Sequence, residues 1–263
     1  MEMQVTDATP TLIKRTVTEG GIAVLTFNDP DRRNALSPAL REQLLQVLRD
    51  EAQSTESRAV VLTGEGSAFC AGGDISAMGI DPKLSSERMK ILHDIARQLA
   101  LFPKPMVAAV NGHAFGAGWS MSLLCDYVVT APTAKHGATF GKLGLVPDTA
   151  FLWSACRRIS QVKAMHLFMT AEILNADQVL ALGLTDELSD NVVEAAIARA
   201  ESFCGIGPLA FAAAKASLAE GPDGIEWYLQ REFDDQARMY HSADHREAVA
   251  AFKGKRAPQF TGE

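Results

Sequence analysis

The chain has no excess of basic charge. Its 263 residues carry 25 Lys and Arg against 32 Asp and Glu, a formal net charge of −7. Non-specific nucleic-acid binding needs a basic face that neutralises phosphates, so no nucleic-acid partner is expected. A local basic patch for a small phosphate ligand remains compatible with this balance. No apolar run approaches the ~20 residues that a membrane-spanning helix needs, so no membrane partner is expected either. The stretch from Met1 to Pro10 is acidic and polar, and it lacks the basic-then-apolar pattern of a secretory leader. Cysteine pairs are missing: Cys70, Cys125, Cys156 and Cys204 are widely separated and form no Cys-x-x-Cys. Such spacing reads as reduced, buried thiols in a cytoplasmic protein, not as a zinc ribbon or a disulfide framework. Gly64-Glu65-Gly66 lacks the Gly-Lys-Ser/Thr ending of a phosphate loop. His241 and His245 stand four apart, but no third ligand accompanies them, so no metal is expected.

What is present is an ordinary globular balance, 47% hydrophobic and 22% charged, on a chain long enough for a large core. Leu12–Thr18 and Gly21–Phe27 are β-rich runs around Glu19-Gly20-Gly21, the pattern of a hairpin. Ser37-Pro38 reads as an N-cap followed by Pro at the first helical position, and Leu40, Leu44, Leu45, Val47 and Leu48 follow at helical spacing. Ala59–Thr63, Met106–Val110 and Tyr127–Thr130 are short apolar runs, predicted as buried strands. A helix is predicted over Ser85–Phe102, stopped by Pro103 and Pro105, and another over Ala117–Leu124. This alternation of strand and helix is an α/β pattern. After Pro147 the reading is mostly helical: Thr149–Arg158, Gln161–Met169, Ala176–Leu182, Val192–Cys204, Leu209–Ala219, and Ile225–Phe252 broken near His241–Asp244. Leu184–Leu188 is the one further strand. Gly205-Ile206-Gly207-Pro208 suggests a boundary between a core, residues 1–204, and a helical C-terminal region, residues 205–263.

Two small-residue turns carry the chemistry. Phe69-Cys70-Ala71-Gly72-Gly73-Asp74 and Gly112-His113-Ala114-Phe115-Gly116-Ala117-Gly118 each follow or precede a predicted element end. Such turns leave backbone N–H groups uncrowded, and two N–H groups aimed at one point can hold a developing oxyanion. Gly73 permits a tight turn with φ > 0 and a close approach of substrate. Ala117 would open a helix, where free N–H groups and the dipole favour negative charge.

In this order and context the two turns resemble those of the crotonase family, also called the enoyl-CoA hydratase/isomerase family. The resemblance extends over nearly the whole chain. Asn28-Asp29-Pro30-Asp31-Arg32-Arg33-Asn34-Ala35-Leu36-Ser37 is similar to the family's N-terminal signature. Gly144-Leu145-Val146-Pro147-Asp148 is similar to the loop closing the acyl pocket, and Phe252-Lys253-Gly254-Lys255-Arg256-Ala257-Pro258-Gln259-Phe260 to the C-terminal tail. The resemblance implies a spiral of β-β-α units with C-terminal helices that build trimers or hexamers. It implies an acyl-CoA thioester as substrate and no separate cofactor, coenzyme A being part of that substrate. It assigns the oxyanion N–H groups to Gly73 and Ala117. Ala71, Asp74, Ile75, Trp119 and Phe140 would surround the substrate, with Asp74 anchoring its loop. Arg32, Arg33 and Lys255 would meet the CoA phosphates, and Phe252 would pack near the adenine.

The hydratases of that family carry two glutamates that hold a water; the matching positions here hold Ser120 and Phe140. A phenyl ring takes no proton, and a serine hydroxyl without a base is a poor substitute for a carboxylate in taking one. Asp148 matches the acid/base position of the Δ3,Δ2-enoyl-CoA isomerases, and ring-type isomerases of aromatic acyl-CoAs look similar there. The resemblance therefore implies a shift of a 3-enoyl-CoA double bond to the 2-enoyl form. Enoyl-CoA hydration, an aromatic-ring isomerisation and acyl-CoA binding without turnover stand as alternatives. The competing role for Asp148 is an N-cap for the helix predicted from Thr149.

Overall fold

The computed structural model describes residues 10–78, 82–219 and 224–259. The stretch 1–9 and the last tail residue compared above, Phe260, lie outside them. Strands β1, Ile13–Val17, and β2, Ile22–Phe27, pair antiparallel about Gly21, whose φ of 74° suits the turn. Helix α1, Pro38–Gln53, opens as its sequence predicts: the Ser37 side chain accepts from the Leu40 N–H and Pro38 occupies the first turn. Its face of Leu40, Leu44, Leu45 and Leu48 is buried.

Three successive units then repeat one path. Each runs through a strand of a large sheet, a strand of a small sheet and a helix. The first is β3, Ala59–Gly64, β4, Ala68–Cys70, and α2, Pro82–Ala100. The second is β5, Met106–Val110, β6, His113–Phe115, and α3, Ala117–Leu123. The third is β7, Tyr127–Thr130, β8, Lys135–Gly137, and α4, Phe151–Cys156, with a 3₁₀ turn over Thr139–Leu143. The chain continues through α5, Gln161–Thr170, β9, Leu174–Asn175, α6, Ala176–Leu182, and β10, Glu187–Leu188. The large sheet has the order β1-β2-β3-β5-β7-β10 and the small one β4-β6-β8-β9. The expected β-β-α spiral is thus present. Strand β5 is buried at every residue, as a parallel strand covered on both faces must be, and its Met-Val-Ala-Ala-Val run carries no polar side chain.

Helices α7, Val192–Phe203, α8, Pro208–Ala219, α9, Ile225–His241, and α10, Ala243–Lys253, complete the chain. The break expected near His241–Asp244 is Ser242, which closes α9 and caps α10 by accepting from the His245 N–H. Helix α7 packs across β3 and β5, α9 against α2, and α10 on the 3₁₀ turn. The last contact sets α10 over the loop that follows β8. All four cysteines are free thiols, with Cys70 and Cys125 buried. No single helix among the described residues is long and apolar enough to cross a membrane. His245 is buried and its Nδ1 lies 2.9 Å from the Leu143 carbonyl oxygen. Among the described residues no cluster of potential metal ligands forms.

Candidate active site

The two small-residue turns meet because β4 and β6 pair in parallel, Ala68 opposite His113 and Cys70 opposite Ala114. Their close approach requires glycine. A Cβ on Gly72 would fall 2.6 Å from the Phe115 carbonyl oxygen, with the Ala117 nitrogen at 3.6 Å. A Cβ on Gly118 would fall 2.3 Å from the Cys70 carbonyl oxygen. The left-handed residue of the first turn is Gly72, at φ 88°, and not Gly73 as the sequence suggests. Contacts with the N-terminal segment hold the turn in this register: Leu36 N–H donates to the Gly72 carbonyl at 2.8 Å. Ala117 is the first residue of α3, where an N–H has no intrahelical acceptor, and Gly116 before it supplies no side-chain cap. Gly73 and Ala117 give their N–H groups to no backbone carbonyl among the described residues. The pair thus flanks Gly72 with two uncommitted donors.

The N-terminal signature holds this arrangement from below. Asn34, fully buried at φ 55°, donates to the carbonyls of Glu65, Ala68 and Phe69 at 3.0, 2.8 and 3.2 Å. Ala71 N–H donates to the Arg33 carbonyl at 3.0 Å. Sequence reasoning quoted Asn34 without giving it a role. Its signal was available, since Asn tolerates the left-handed region and carries two donors for loop carbonyls. Asp74 anchors its loop as expected. Its Oδ1 accepts from the Ser76 N–H and hydroxyl at 3.1 and 2.6 Å, and its Oδ2 from Arg32 at 2.5 Å.

Above the first turn lies a cleft of about 560 Å³. Of the residues expected to bind substrate, it gathers Arg32, Arg33, Ala71, Gly73, Asp74, Ile75 and Phe252. Lys142, Phe115, Arg256 and Pro258 also line it, so four cations stand around one opening. Lys255 does not line it. That residue turns left-handed at φ 52° just after α10, and its neighbour Arg256 takes the place, paired with Glu247. Trp119, Phe140, Ala117 and Asp148 are not among the lining residues of this cleft. They belong to a buried layer behind it. Phe140 lies 3.6 Å from the Cβ direction of Gly116, and its ring centroid is 5.8 Å from that of Phe151, which lies 5.4 Å from Trp119.

Asp148 is tied to the second turn. The Ser120 hydroxyl, fully buried on α3, donates to the carbonyls of Gly116 and Asp148 at 3.2 and 3.1 Å. Ser120 therefore acts as a tether between the two segments. The Asp148 carboxylate accepts from the Thr149 hydroxyl at 3.1 Å and from the Gln236 amide at 3.4 Å. It caps no helix: α4 begins at Phe151, with Ala150 in the capping position and no side-chain cap. Burial raises the Asp148 pKa above the ordinary carboxylate range; the positive charges of Arg88 and Arg41 and the two hydrogen bonds oppose that rise. Thr149 and Ala150 both take left-handed conformations, φ 53° and 57°, which cost of order 1–3 kcal/mol each in non-glycine residues. Glu232 of α9 holds this turn by accepting the Ala150 N–H at 3.2 Å. Its carboxyl is pushed well above its ordinary pKa by burial and by the Asp148 charge. Sequence reasoning missed Glu232 and Gln236. The signal was in α9: Ile225, Leu229, Glu232, Gln236 and Tyr240 fall on one buried stripe, and two of the five are polar.

Comparison with known proteins places this geometry. The family model described as Enoyl-CoA hydratase/isomerase matches residues 17–263. The chain is 34% identical over 257 residues to the 1,2-epoxyphenylacetyl-CoA isomerase of Escherichia coli strain K12, covering 93% of this chain and 97% of that one. It is 36% identical over 248 residues to a probable enoyl-CoA hydratase of Rhodobacter capsulatus, covering 92% and 95%. Among solved structures, an enoyl-CoA hydratase/isomerase from Mycobacterium paratuberculosis superimposes with a TM-score of 0.84 at 27% identity, covering 92% of this chain and 98% of that one.

Proposed function

The chain belongs to the enoyl-CoA hydratase/isomerase family, and from that premise we propose that it shifts the double bond of a 3-enoyl-CoA to the 2-enoyl position. The observation that carries this reading is Asp148: a buried carboxylate, tied through Ser120 to the start of α3 and free of any capping duty. The Gly73 and Ala117 N–H groups hold the thioester oxygen, which acidifies C2. Asp148 takes the C2 proton, and the negative charge spreads over the oxygen and C4. The same carboxyl returns the proton at C4, so one group suffices. Its raised pKa makes it a stronger base than a solvated aspartate. Arg32, Arg33, Lys142 and Arg256 would meet the CoA phosphates at the cleft mouth, with Phe252 beside the adenine. A purified sample should convert a 3-enoyl-CoA to its conjugated isomer, read as a rise in thioester absorbance. An aromatic-ring acyl-CoA is the second reading, favoured by the cluster of tilted rings of Phe140, Phe151 and Trp119. Acyl-CoA binding without turnover is disfavoured by the release of Asp148 from capping.

Hydration should be weak. Ser120 is committed to two carbonyls and Phe140 carries no acid; each missing general acid/base group costs on the order of 10²–10⁴-fold. Loss of 2-enoyl-CoA absorbance with a crotonyl-type substrate measures this. A rate matching an ordinary hydratase would show that other groups activate water.

The same reading makes residues 205–263 an oligomerising region around an acyl-CoA-binding core, in a cytoplasmic trimer or dimer of trimers. Leu209 and Leu218 of α8 are 86% and 76% exposed, which a partner would cover. Light scattering should give a trimeric or hexameric mass; a monomer at micromolar concentration would contradict it.

A further inference from the structure

Behind Asp148 lies a set of polar groups that the double-bond shift does not use. Arg41 of α1 is buried, and its Nη1 donates to the Leu36 carbonyl at 2.8 Å. Arg88 of α2 stacks on the Tyr240 ring of α9, its guanidinium carbon 4.4 Å from the ring centre. Among the described residues, Arg41 Nε, Arg88 Nε and Nη2, the Tyr240 hydroxyl and Gln236 Oε1 are all buried without a hydrogen-bond partner. Gln236 and Tyr240 are 0% and 1% exposed. Buried polar groups are almost always paired, and leaving one bare costs ~1–3 kcal/mol. Five bare atoms converging from three helices therefore point to an absent partner.

The chemistry of that partner follows from the tally of donors and charges. Three of the five atoms are guanidinium donors and a fourth is a hydroxyl, so the missing group accepts hydrogen bonds. Arg41, Arg88 and Asp148 sense one another's charge. Glu232 also senses Asp148, and two buried carboxyls this close resist carrying two negative charges. Asp74 and Glu42 also act on Arg41, so positive charge is not in surplus here; the bare guanidinium donors are what a partner must meet. A hydrocarbon chain end would leave those donors bare.

We propose that Arg88, with Arg41 and Tyr240, forms a subsite for a carboxylate carried on the acyl group, so that the preferred substrate is an acyl-CoA with a second acid at its far end. The proposal rests on the acyl-CoA reading above and narrows it. A carboxylate offers two acceptor oxygens and suits the planar fork of a guanidinium. Ordered water is the competing occupant.

Binding of saturated CoA esters tests this without any turnover, by titration calorimetry on the intact protein. Pairs of equal chain length are compared, one ending in a carboxylate and one in a methyl group, over a series of lengths. At the best length the carboxylate ester should bind at least about tenfold more tightly, the ratio that one charge-assisted hydrogen bond supplies. Arg88→Met should collapse that ratio toward unity. Tyr240→Phe removes a single oxygen and should lower it in part, which keeps the test open if the arginine variant does not fold. A methyl ester that binds as well at every length overturns the subsite and leaves water as the occupant. An ω-hydroxyl ester that matches the carboxylate overturns the choice of a carboxylate as the occupant. Preference without isomerisation of any 3-enoyl ester would keep the subsite and remove the proposed reaction; no binding of any CoA ester would remove both.

Discussion

Asp148→Asn should reduce isomerisation of a 3-enoyl-CoA by on the order of 10²–10⁴-fold, the usual contribution of a positioned general base. The replacement keeps the side-chain shape, and an amide oxygen can still accept from the Thr149 hydroxyl, now at 3.1 Å from Oδ1. What it removes is the base. The fold should survive, with a thermal midpoint at or above that of the wild type, because a buried charge disfavoured by desolvation has gone. Binding of a saturated acyl-CoA should change little, since the cationic cleft is untouched. The wild-type pH profile gives an independent reading of the same group. Proton removal needs the ionised carboxylate, so activity is present above its pKa and falls as pH drops through it. Burial raises that pKa, so the acid limb of kcat/KM should lie above the range of a solvated aspartate. Wild-type turnover by the Asn variant, or an acid limb in the ordinary range, would remove Asp148 from the chemistry.

The parts of the fold that were legible in the sequence are those with a long periodic signal. Strand β5 shows itself as an unbroken apolar run, and α1 through its Ser37-Pro38 start and leucine spacing. The small sheet was not legible. Its strands β4, β6, β8 and β9 are three residues or fewer, too short for alternation to appear, and they exist because the large sheet holds their neighbours in register. The third unit shows the same limit: a helix expected from Thr149 begins at Phe151. Thr149 and Ala150 are bent left-handed there, a conformation that neither residue type announces and that Glu232, far along the chain, helps to hold. At the site, the two glycine turns were readable as motifs, but the position of the bend was not. Gly72 and Gly73 are chemically identical, and it is contacts from distant residues, such as the hydrogen bond from Leu36 N–H to the Gly72 carbonyl, that distinguish them. The apolar and charged cleft residues were placed by resemblance. The polar stripe of α9 was visible in principle, yet a helix face alone does not say which element it will cover.

Ala117→Pro should lower kcat/KM by at least about 10²–10³-fold while leaving the protein folded, because it removes one oxyanion donor and puts a ring carbon in its place. Backbone donors are hard to test by mutation, but this one sits at a rare permissive position. Ala117 is the first residue of α3, where proline's fixed φ is suited to the helix and no intrahelical hydrogen bond is lost. Proline also restricts the residue before it. Here that residue is Gly116, at φ 51° and ψ −127°, the mirror image of the extended region that a residue before proline prefers, and open to glycine alone. The ring carbon bonded to the nitrogen replaces the N–H hydrogen, so it stands where the thioester oxygen would accept. Binding of free CoA, which has no thioester, should be unchanged, and circular dichroism should show the native helix content. Ala117→Gly is the control: it keeps the N–H and should stay within about tenfold of wild-type turnover, the loss reflecting only a weaker helix start. A proline variant that folds and turns over at the wild-type rate would show that the Ala117 N–H holds no developing charge.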